Sequence, residues 1–459
     1  MGTSRIRERL THEVAGAVYD AGEPGAVAEA ATFNTAVTHR PALVVAARDA
    51  ADVAAAVRYA VDAGLPVAVQ GTGHGAAAPS EGTVLVSTRH LQGLRVDPVA
   101  RLARVEAGVR WRSVIDAAVP HGLAPLSGSS SGVGVVGYTL GGGMGHLARR
   151  HGFAADQVRA VELVTADGIT TVTAESDPDL FWAVRGGQSS FGIATALEFD
   201  LVPVPAFFGG ALLYTGPAVE DVLHAWAAWA PTMPEEVTTS VALLRLPAID
   251  EVPPPLRGVV SLAVRFGFTG SAEQGEALLA PMRRVAAPVL DSVGPMSYAA
   301  VDRIHMDPTE PMPSHVRGGL LGALPGDAVD RLLAAAGPGV EVPLVVAELR
   351  LMGGALSRPA PVPNAVAGRE GAFALTVIAP APPPLLEVAP LVTAGVVDAL
   401  EPWSTGTALV NFSGNSDGRD KSAAWTPQTL DRLRRVKQTA DPRNVFGGAL
   451  GAPAPAGAR

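Results

Sequence analysis

The chain has 459 residues, a formal net charge of −9 and no cysteine, with 48% hydrophobic and 17% charged residues. That length suggests two or three domains with large buried cores, and the composition marks a globular chain, not a disordered one. The lack of cysteine excludes disulfides, thiolate nucleophiles and cysteine-ligated metals, no metal site is expected, and no basic run invites nucleic acid or an anionic membrane.

Residues 40–205 read as short strands alternating with helices. Pro41–Ala46 is an apolar strand. Asp49 is an N-cap candidate for a helix with Val53, Val57 and Val61 on one face and a stop at Gly64. Val67–Val69 is a strand that runs into Gln70-Gly71-Thr72-Gly73-His74-Gly75. The glycines there let the backbone approach a flat or anionic ligand, and the His74 imidazole is held against whatever the loop wraps. Thr83–Ser87 and Arg104–Ala107 follow as strands, Arg112–Val119 as a short helix, and Val161–Thr165 as a strand ended by Asp167-Gly168. Asp177-Pro178 starts a helix that breaks at Gly186-Gly187. Ile193–Leu201 alternates as a half-buried strand, and Pro203 and Pro205 close the block.

From 206 to 404 the texture changes. Strand-like runs at Ser240–Leu246, Val259–Phe266, Leu344–Leu351 and Ala372–Val377 are separated by helical stretches and proline-rich loops. This predicts an antiparallel sheet with helices on one side, so the class is α+β. Thr426-Pro427 opens a last helix that stops at Asp441-Pro442, and the tail from Gly447 is expected to fray. The charged N-terminus Met1–Leu10 is unlike a signal peptide and no apolar run has bilayer length, which makes the cytoplasm the expected location.

Gly128 to Gly145 is a second glycine-rich stretch, open to three readings. Gly132-Val-Gly-Val-Val-Gly137 fits the dinucleotide fingerprint, with Asp156 downstream, but that turn needs a strand before it and a helix within it. The glycines at 141, 142, 143 and 145 argue against the helix, at about 1 kcal/mol each. Gly128-Ser-Ser130-Ser-Gly132 fits a hydrolase nucleophile elbow with Ser130 as nucleophile, yet Pro125 spoils the preceding strand. The third reading, an extended glycine-lined backbone offering N–H groups to a pyrophosphate, uses all the glycines.

The order of these motifs carries a resemblance. Gly71-Thr-Gly-His74, Val133-Gly-Val-Val-Gly-Tyr-Thr-Leu-Gly-Gly-Gly143, Val164-Thr-Ala-Asp-Gly168, Leu180-Phe-Trp-Ala-Val-Arg-Gly-Gly187 and Phe191-Gly-Ile-Ala-Thr195 resemble the berberine-bridge-enzyme-like FAD oxidases of the vanillyl-alcohol-oxidase superfamily. Val410-Asn411-Phe412 and Asp441-Pro-Arg-Asn-Val-Phe446 are similar to that family's closing motifs. The resemblance implies an N-terminal segment (1–36), a PCMH-type FAD-binding domain of two α/β subdomains (37–205), a substrate domain (206–404) and a C-terminal segment (405–459) that completes the FAD domain.

The same resemblance implies FAD contacts from Gln70, Gly71, Thr72, Gly73, His74 and Gly75. It implies further contacts from Gly128, Ser129, Ser130, Val133, Gly134, Gly137, Tyr138, Thr139, Gly141, Gly142, Gly143, Gly145, Ile193, Asn411 and Asn444. His74 matches the histidine bonded to the flavin 8α-carbon. Ser130 stands where many members carry a second, cysteinyl attachment, so a single covalent link is implied, as in the 6-hydroxynicotine oxidase branch. Val133 matches the position governing oxygen access, and valine there goes with dioxygen as oxidant. Three departures stand out. Ser189-Ser190 replaces a usual Gly-Asn, Leu409 replaces a frequent tyrosine, and Gly447-Gly448-Ala449 replaces a polar segment.

The implied activity is hydride removal from a C–H beside an OH or NH of a small or medium organic molecule, with hydrogen peroxide as by-product. A redox-neutral cyclase using FAD as a scaffold, and a serine hydrolase at Ser130, are the competing readings. A base must take the heteroatom proton. The candidates are Tyr138, beside the glycines; His305, within Asp302-Arg-Ile-His-Met-Asp307; and Glu348 with Arg350, two apart and so on one face of a strand.

Overall fold

The computed structural model describes residues 3–76, 79–414, 421–447 and 450. Most of the tail expected to fray, residues 448, 449 and 451–459, lies outside those described. Three sheets of four or more strands organise the described residues. The first runs Ala17–Asp20, Leu43–Ala46, Val84–Ser87, Val67–Gln70, with the last three parallel. Parallel strands need crossovers, and the helix Ala50–Ala63 carries the chain from Leu43–Ala46 to Val67–Gln70, on the far side of Val84–Ser87. Its ends form where the residue types require: the Asp49 carboxylate accepts from Asp52 N, and Gly64 closes it at φ 68°.

The second sheet is antiparallel, in the order Leu94–Asp97, Leu102–Glu106, Ile193–Asp200, Val158–Thr165, Gly168–Val172. The third, in the 206–404 region, is larger and wholly antiparallel. It runs Leu290–Asp291, Phe207–Thr215, Val260–Phe268, Val237–Arg245, Val346–Leu351, Phe373–Pro380, Ser314–Leu321. Helices Ala218–Trp229, Ala272–Val285, Gly326–Ala336 and Val388–Ala399 cover one face, where Val241, Val264, Leu349 and Leu375 join the helices' Trp226, Leu279, Leu332 and Val396 in one core. The strand period of two sends Ser240, Arg265, Glu348 and Arg350 to the opposite face.

Two long strands of this sheet carry no alternation. Phe207–Thr215 is buried at all but its last residue and contains Gly209-Gly210, and Ser314–Leu321 contains Gly318-Gly319. The first, covered on both sides, has no polar face to reveal it, and the second is half-buried at its four central residues without an alternating pattern. The glycine run also departs from expectation, because Val135–Leu140 is helical. Only Gly137 falls inside that helix; Gly134 is its extended N-cap and Gly141 its end, so one glycine's helix penalty is borne, not four. No strand leads into it, since only Leu123–Ala124 is extended upstream and pairs with Val202–Pro203. Neither a dinucleotide turn nor a nucleophile elbow is therefore built here. Asp156 is committed elsewhere, to Arg369 at 2.6 Å and Asn364 at 2.6 Å.

The C-terminal helix Pro427–Ala440 is capped by Thr426, as its sequence indicates. Beyond it the Asp441 carboxylate accepts from Val445 N and Phe446 N, both at 2.9 Å, and pairs with buried Lys437. Val67 N then donates to Val445 O at 2.8 Å, which docks the closing segment beside the strand that delivers His74. Among the described residues no helix is long and apolar enough to cross a membrane. The N-terminal segment is pinned by Asp52, whose carboxylate accepts from Ala15 N (2.7 Å), Gly16 N (2.9 Å) and Arg48 N (2.9 Å). Asp52→Ala strands these donors and is expected to lower stability by about 1–3 kcal/mol; an unchanged denaturant midpoint would show that the anchor contributes nothing.

Candidate active site

The strand Val67–Gln70 ends in the histidine loop, and the Gln70 amide ties that loop to the chain crossing it. Gln70 Nε2 donates to Glu29 O at 3.1 Å and Ala31 O at 3.0 Å, and its Oε1 meets His39 Nε2 at 3.0 Å. Gly73 turns at φ 75°, with an added Cβ only 3.0 Å from Ala31 O, so the position demands glycine. His74 is thereby held on the Phe33 ring, and its Nδ1 is buried without a partner. Burial first, and then the nearby Arg110 cation, push its pKa down to about 4. At neutral pH it is an uncharged imidazole.

The glycine run packs against this loop. Gly134 N donates to Thr72 Oγ1 at 3.3 Å, and Arg110 donates to Gly132 O. The short helix is clamped at its end by Asn411, whose Nδ2 donates to Tyr138 O at 2.8 Å; its Oδ1 leaves no room for a side chain at Gly141. Gly145 is equally constrained, since a Cβ there would lie 1.8 Å from Ser127 O. Gly137 differs: it is exposed, and a Cβ would meet nothing within 4 Å. The hydroxyls of Tyr138 and Thr139 are buried without partners. An orphaned imidazole nitrogen, two orphaned hydroxyls and an open glycine in one cradle fit a flat ligand that carries hydrogen-bonding edges.

Opposite the run, the sheet's open face presents a buried ion cluster. Glu348 Oε1 accepts from Arg265 Nη1 (2.6 Å), Ser240 Oγ (2.7 Å) and His305 Nε2 (3.1 Å), while Oε2 takes Arg350 Nη2 at 2.7 Å. Burial alone would raise this carboxyl, but Arg350, Arg265 and His305 outweigh it and hold the pKa well below the ordinary value. Burial and then Arg265 lower His305 to about 4, against the pull of Glu348. His146 packs on His305 with centroids 4.9 Å apart, and burial, then His305 and the two arginines, lower it further. Burial raises the Tyr138 phenol well above its usual value. His146, His305, Arg265 and Arg350 line one cavity with Met144 and Leu356.

The expected residues fall into three groups. His305 and Arg350 line the cavity and both bond Glu348, while Tyr138, on the run, is linked electrostatically to Arg350, which lies over the Phe412 ring at 5.1 Å. Residues 70–75, 128–134, 137–139, 141–143 and 145 line or support the cradle, with the Tyr138 ring against Gly128 and Gly143. Ile193 is instead a core residue paired with Val164, and Asn444, at φ 51°, sits in the closing turn with Oδ1 buried and unpartnered. Ser129 is bound by Asp307 at 2.6 Å, whereas Ser130 has no histidine or carboxylate partner among the described residues, so no hydrolytic dyad forms there. Leu409 packs with Met144, Leu320 and Met352. His146, Arg265, Ser240 and Phe33 were missed. Arg265 had a signal, a lone cation inside an otherwise apolar strand, which survives burial only with a partner.

Known proteins bear on this arrangement. Residues 41–174 match a family model described as an FAD binding domain. The (R)-6-hydroxynicotine oxidase of Paenarthrobacter nicotinovorans is 31% identical over 275 residues; the match spans 57% of this chain and 57% of that relative, so little more than half of its length is covered. A berberine-bridge-enzyme-like protein of Physcomitrella patens superposes with a TM-score of 0.83 at 19% identity, covering 98% of this chain and 99% of that one. The glucooligosaccharide oxidase of Acremonium strictum, described with a 6-S-cysteinyl, 8α-N1-histidyl FAD, gives 0.81 at 21% identity, covering 97% and 98%. The matched residues define a chain that carries an FAD-binding domain. Within that class, the fold is the one shared by the berberine-bridge-enzyme-like protein and the oligosaccharide oxidase just described.

His305 has a pH consequence. It takes up a proton at about 4 in the fold against 6.5 when unfolded, so between those values the unfolded chain binds more protons. Stability then rises with pH across that window and levels above it. The Glu348 carboxylate, with its depressed pKa, adds stability that is lost as pH falls below its unfolded value. Denaturant midpoints taken from pH 4 to 7 are expected to climb, and less steeply in His305→Gln; identical slopes would show that His305 is not buried neutral.

Proposed function

We propose that this protein is an FAD-dependent oxidase that takes a hydride from a C–H beside a hydroxyl or amine, passes the electrons to dioxygen and releases hydrogen peroxide. FAD is held through a single covalent link to His74. The observation that carries the reading is the meeting, across one cavity, of the FAD domain's glycine run and a buried cluster able to handle a proton. Gly71–Gly75, the run from Gly128 to Gly145, Asn411 and Asn444 form the cofactor's bed. FAD, when bound, supplies the hydride acceptor.

The four candidates separate by charge state. Tyr138 stays a neutral phenol whose unpartnered hydroxyl is free to donate a hydrogen bond to a ligand. Arg350 is a permanent cation, and Glu348 is an ionised carboxylate locked between two guanidiniums. His305 is left. A carboxylate only accepts, so the Nε2 facing Glu348 carries the ring hydrogen and Nδ1 holds the lone pair. That Nδ1 is buried without a protein partner and takes the substrate's O–H or N–H proton as the hydride leaves. Glu348 orients the ring and stabilises the imidazolium that forms, while Arg265 and Arg350 keep Glu348 charged. The absence of a hydroxyl at Leu409 is then no obstacle.

Two measurements test this reading. The wild-type protein is expected to be yellow and to keep its colour in an acid precipitate, whereas His74→Ala releases its FAD to the supernatant. A colourless protein, or acid-stable flavin in His74→Ala, sinks the attachment. His305→Gln is expected to slow flavin bleaching by about 10²–10⁴-fold with FAD content unchanged, assayed on alcohols, sugar hemiacetals and cyclic amines, (R)-6-hydroxynicotine among them. A flavin that no such compound bleaches favours the redox-neutral reading.

A further inference from the structure

The histidine loop contains a contact that substrate oxidation does not use. The Phe33 ring stacks on the His74 imidazole, with centroids 4.2 Å apart and planes 16° from parallel. Both backbones are fixed. Phe33 N donates to Gly73 O at 3.1 Å, Met312 N donates to Phe33 O at 3.0 Å, and Gln70 holds the carbonyls of Glu29 and Ala31 just upstream. With one ring face covered and the loop anchored on both sides, the plane of the imidazole is set. Its Nδ1 is buried without a partner.

We infer that Phe33 is a positioning residue for formation of the His74–flavin bond, its flat ring orienting the imidazole so that Nδ1 directs its lone pair at the flavin 8α-methyl carbon. This rests on the covalent reading above. An aliphatic side chain could fill the same space, but only a planar ring dictates the plane of its neighbour. Burial and Arg110 keep His74 neutral, so the lone pair is available at neutral pH. The new bond joins Nδ1 to that carbon in place of one methyl hydrogen. That hydrogen and the imidazole's own leave as protons, the two electrons enter the flavin ring, and dioxygen removes both electrons and protons as hydrogen peroxide.

The test compares Phe33→Ala, Phe33→Leu and Phe33→Tyr as purified flavoproteins incubated with added FAD. Total bound FAD and acid-stable flavin on a denaturing gel are followed in time. Total FAD is expected to be equal in all, with acid-stable flavin accumulating about 10- to 100-fold more slowly in the Ala and Leu variants, as for a misoriented reactant, and at the wild-type rate in Phe33→Tyr. Wild-type accumulation in Phe33→Leu overturns the inference. So does loss of all FAD binding in both the Ala and Leu variants, which would make the ring a prop for the fold. A wild-type protein that releases all its FAD in acid refutes the covalent reading itself, a separate result.

Discussion

Everything at the candidate site depends on one buried carboxylate. Glu348 joins three adjacent strands and the loop at 302–307, because Ser240, Arg265, Arg350 and His305 all converge on its two oxygens. Buried charges persist only when paired and hydrogen-bonded. Two guanidiniums brought this close without Glu348 would repel, and the sheet's open face could not stay packed. The same carboxylate selects the His305 tautomer, so one electrostatic constraint sets both the shape of the cavity and its proton chemistry.

A second set of polar links holds that sheet against the FAD domain. Asp302 binds Ser131 and Arg112, Asp307 binds Ser129, and Tyr298 meets Ser127 at 2.9 Å, so the 298–307 segment is fastened along the glycine run. Arg149, just past that run, donates to the carbonyls of Met233, Pro234, Val237 and Met352. Its buried guanidinium, lowered to about 10 by desolvation, is stabilised by backbone dipoles. These contacts give the cavity between the two halves walls with a defined separation, which an oriented reaction needs.

Legibility followed the range of the forces involved. The helix caps at Asp49, Gly64 and Thr426 were readable because capping is decided within four residues. The strands at 207–215 and 314–321 were not, because their burial comes from partners far along the chain. The helix at 135–140 was obscured by counting glycines that lie outside it. Among site residues, Glu348 and Arg350 were visible as a pair on one strand face. Their partner Arg265 is 83 positions from Glu348 and was not. Phe33 was hidden in the same way, since nothing near it in the chain hints that it lies on His74.

By itself, the sequence determined the spacing of the glycine-rich motifs and the absence of any thiol, which leaves His74 as the single tether in the proposed covalent reading. Those are properties of residue type and order, which folding cannot alter. Only the tertiary structure decided which groups are charged and which nitrogen is bare. Protonation states follow from burial and from neighbours that strand pairing brings together. That is why, of the four candidates, the proposed proton acceptor is His305 and not Tyr138, the one the glycine run had favoured.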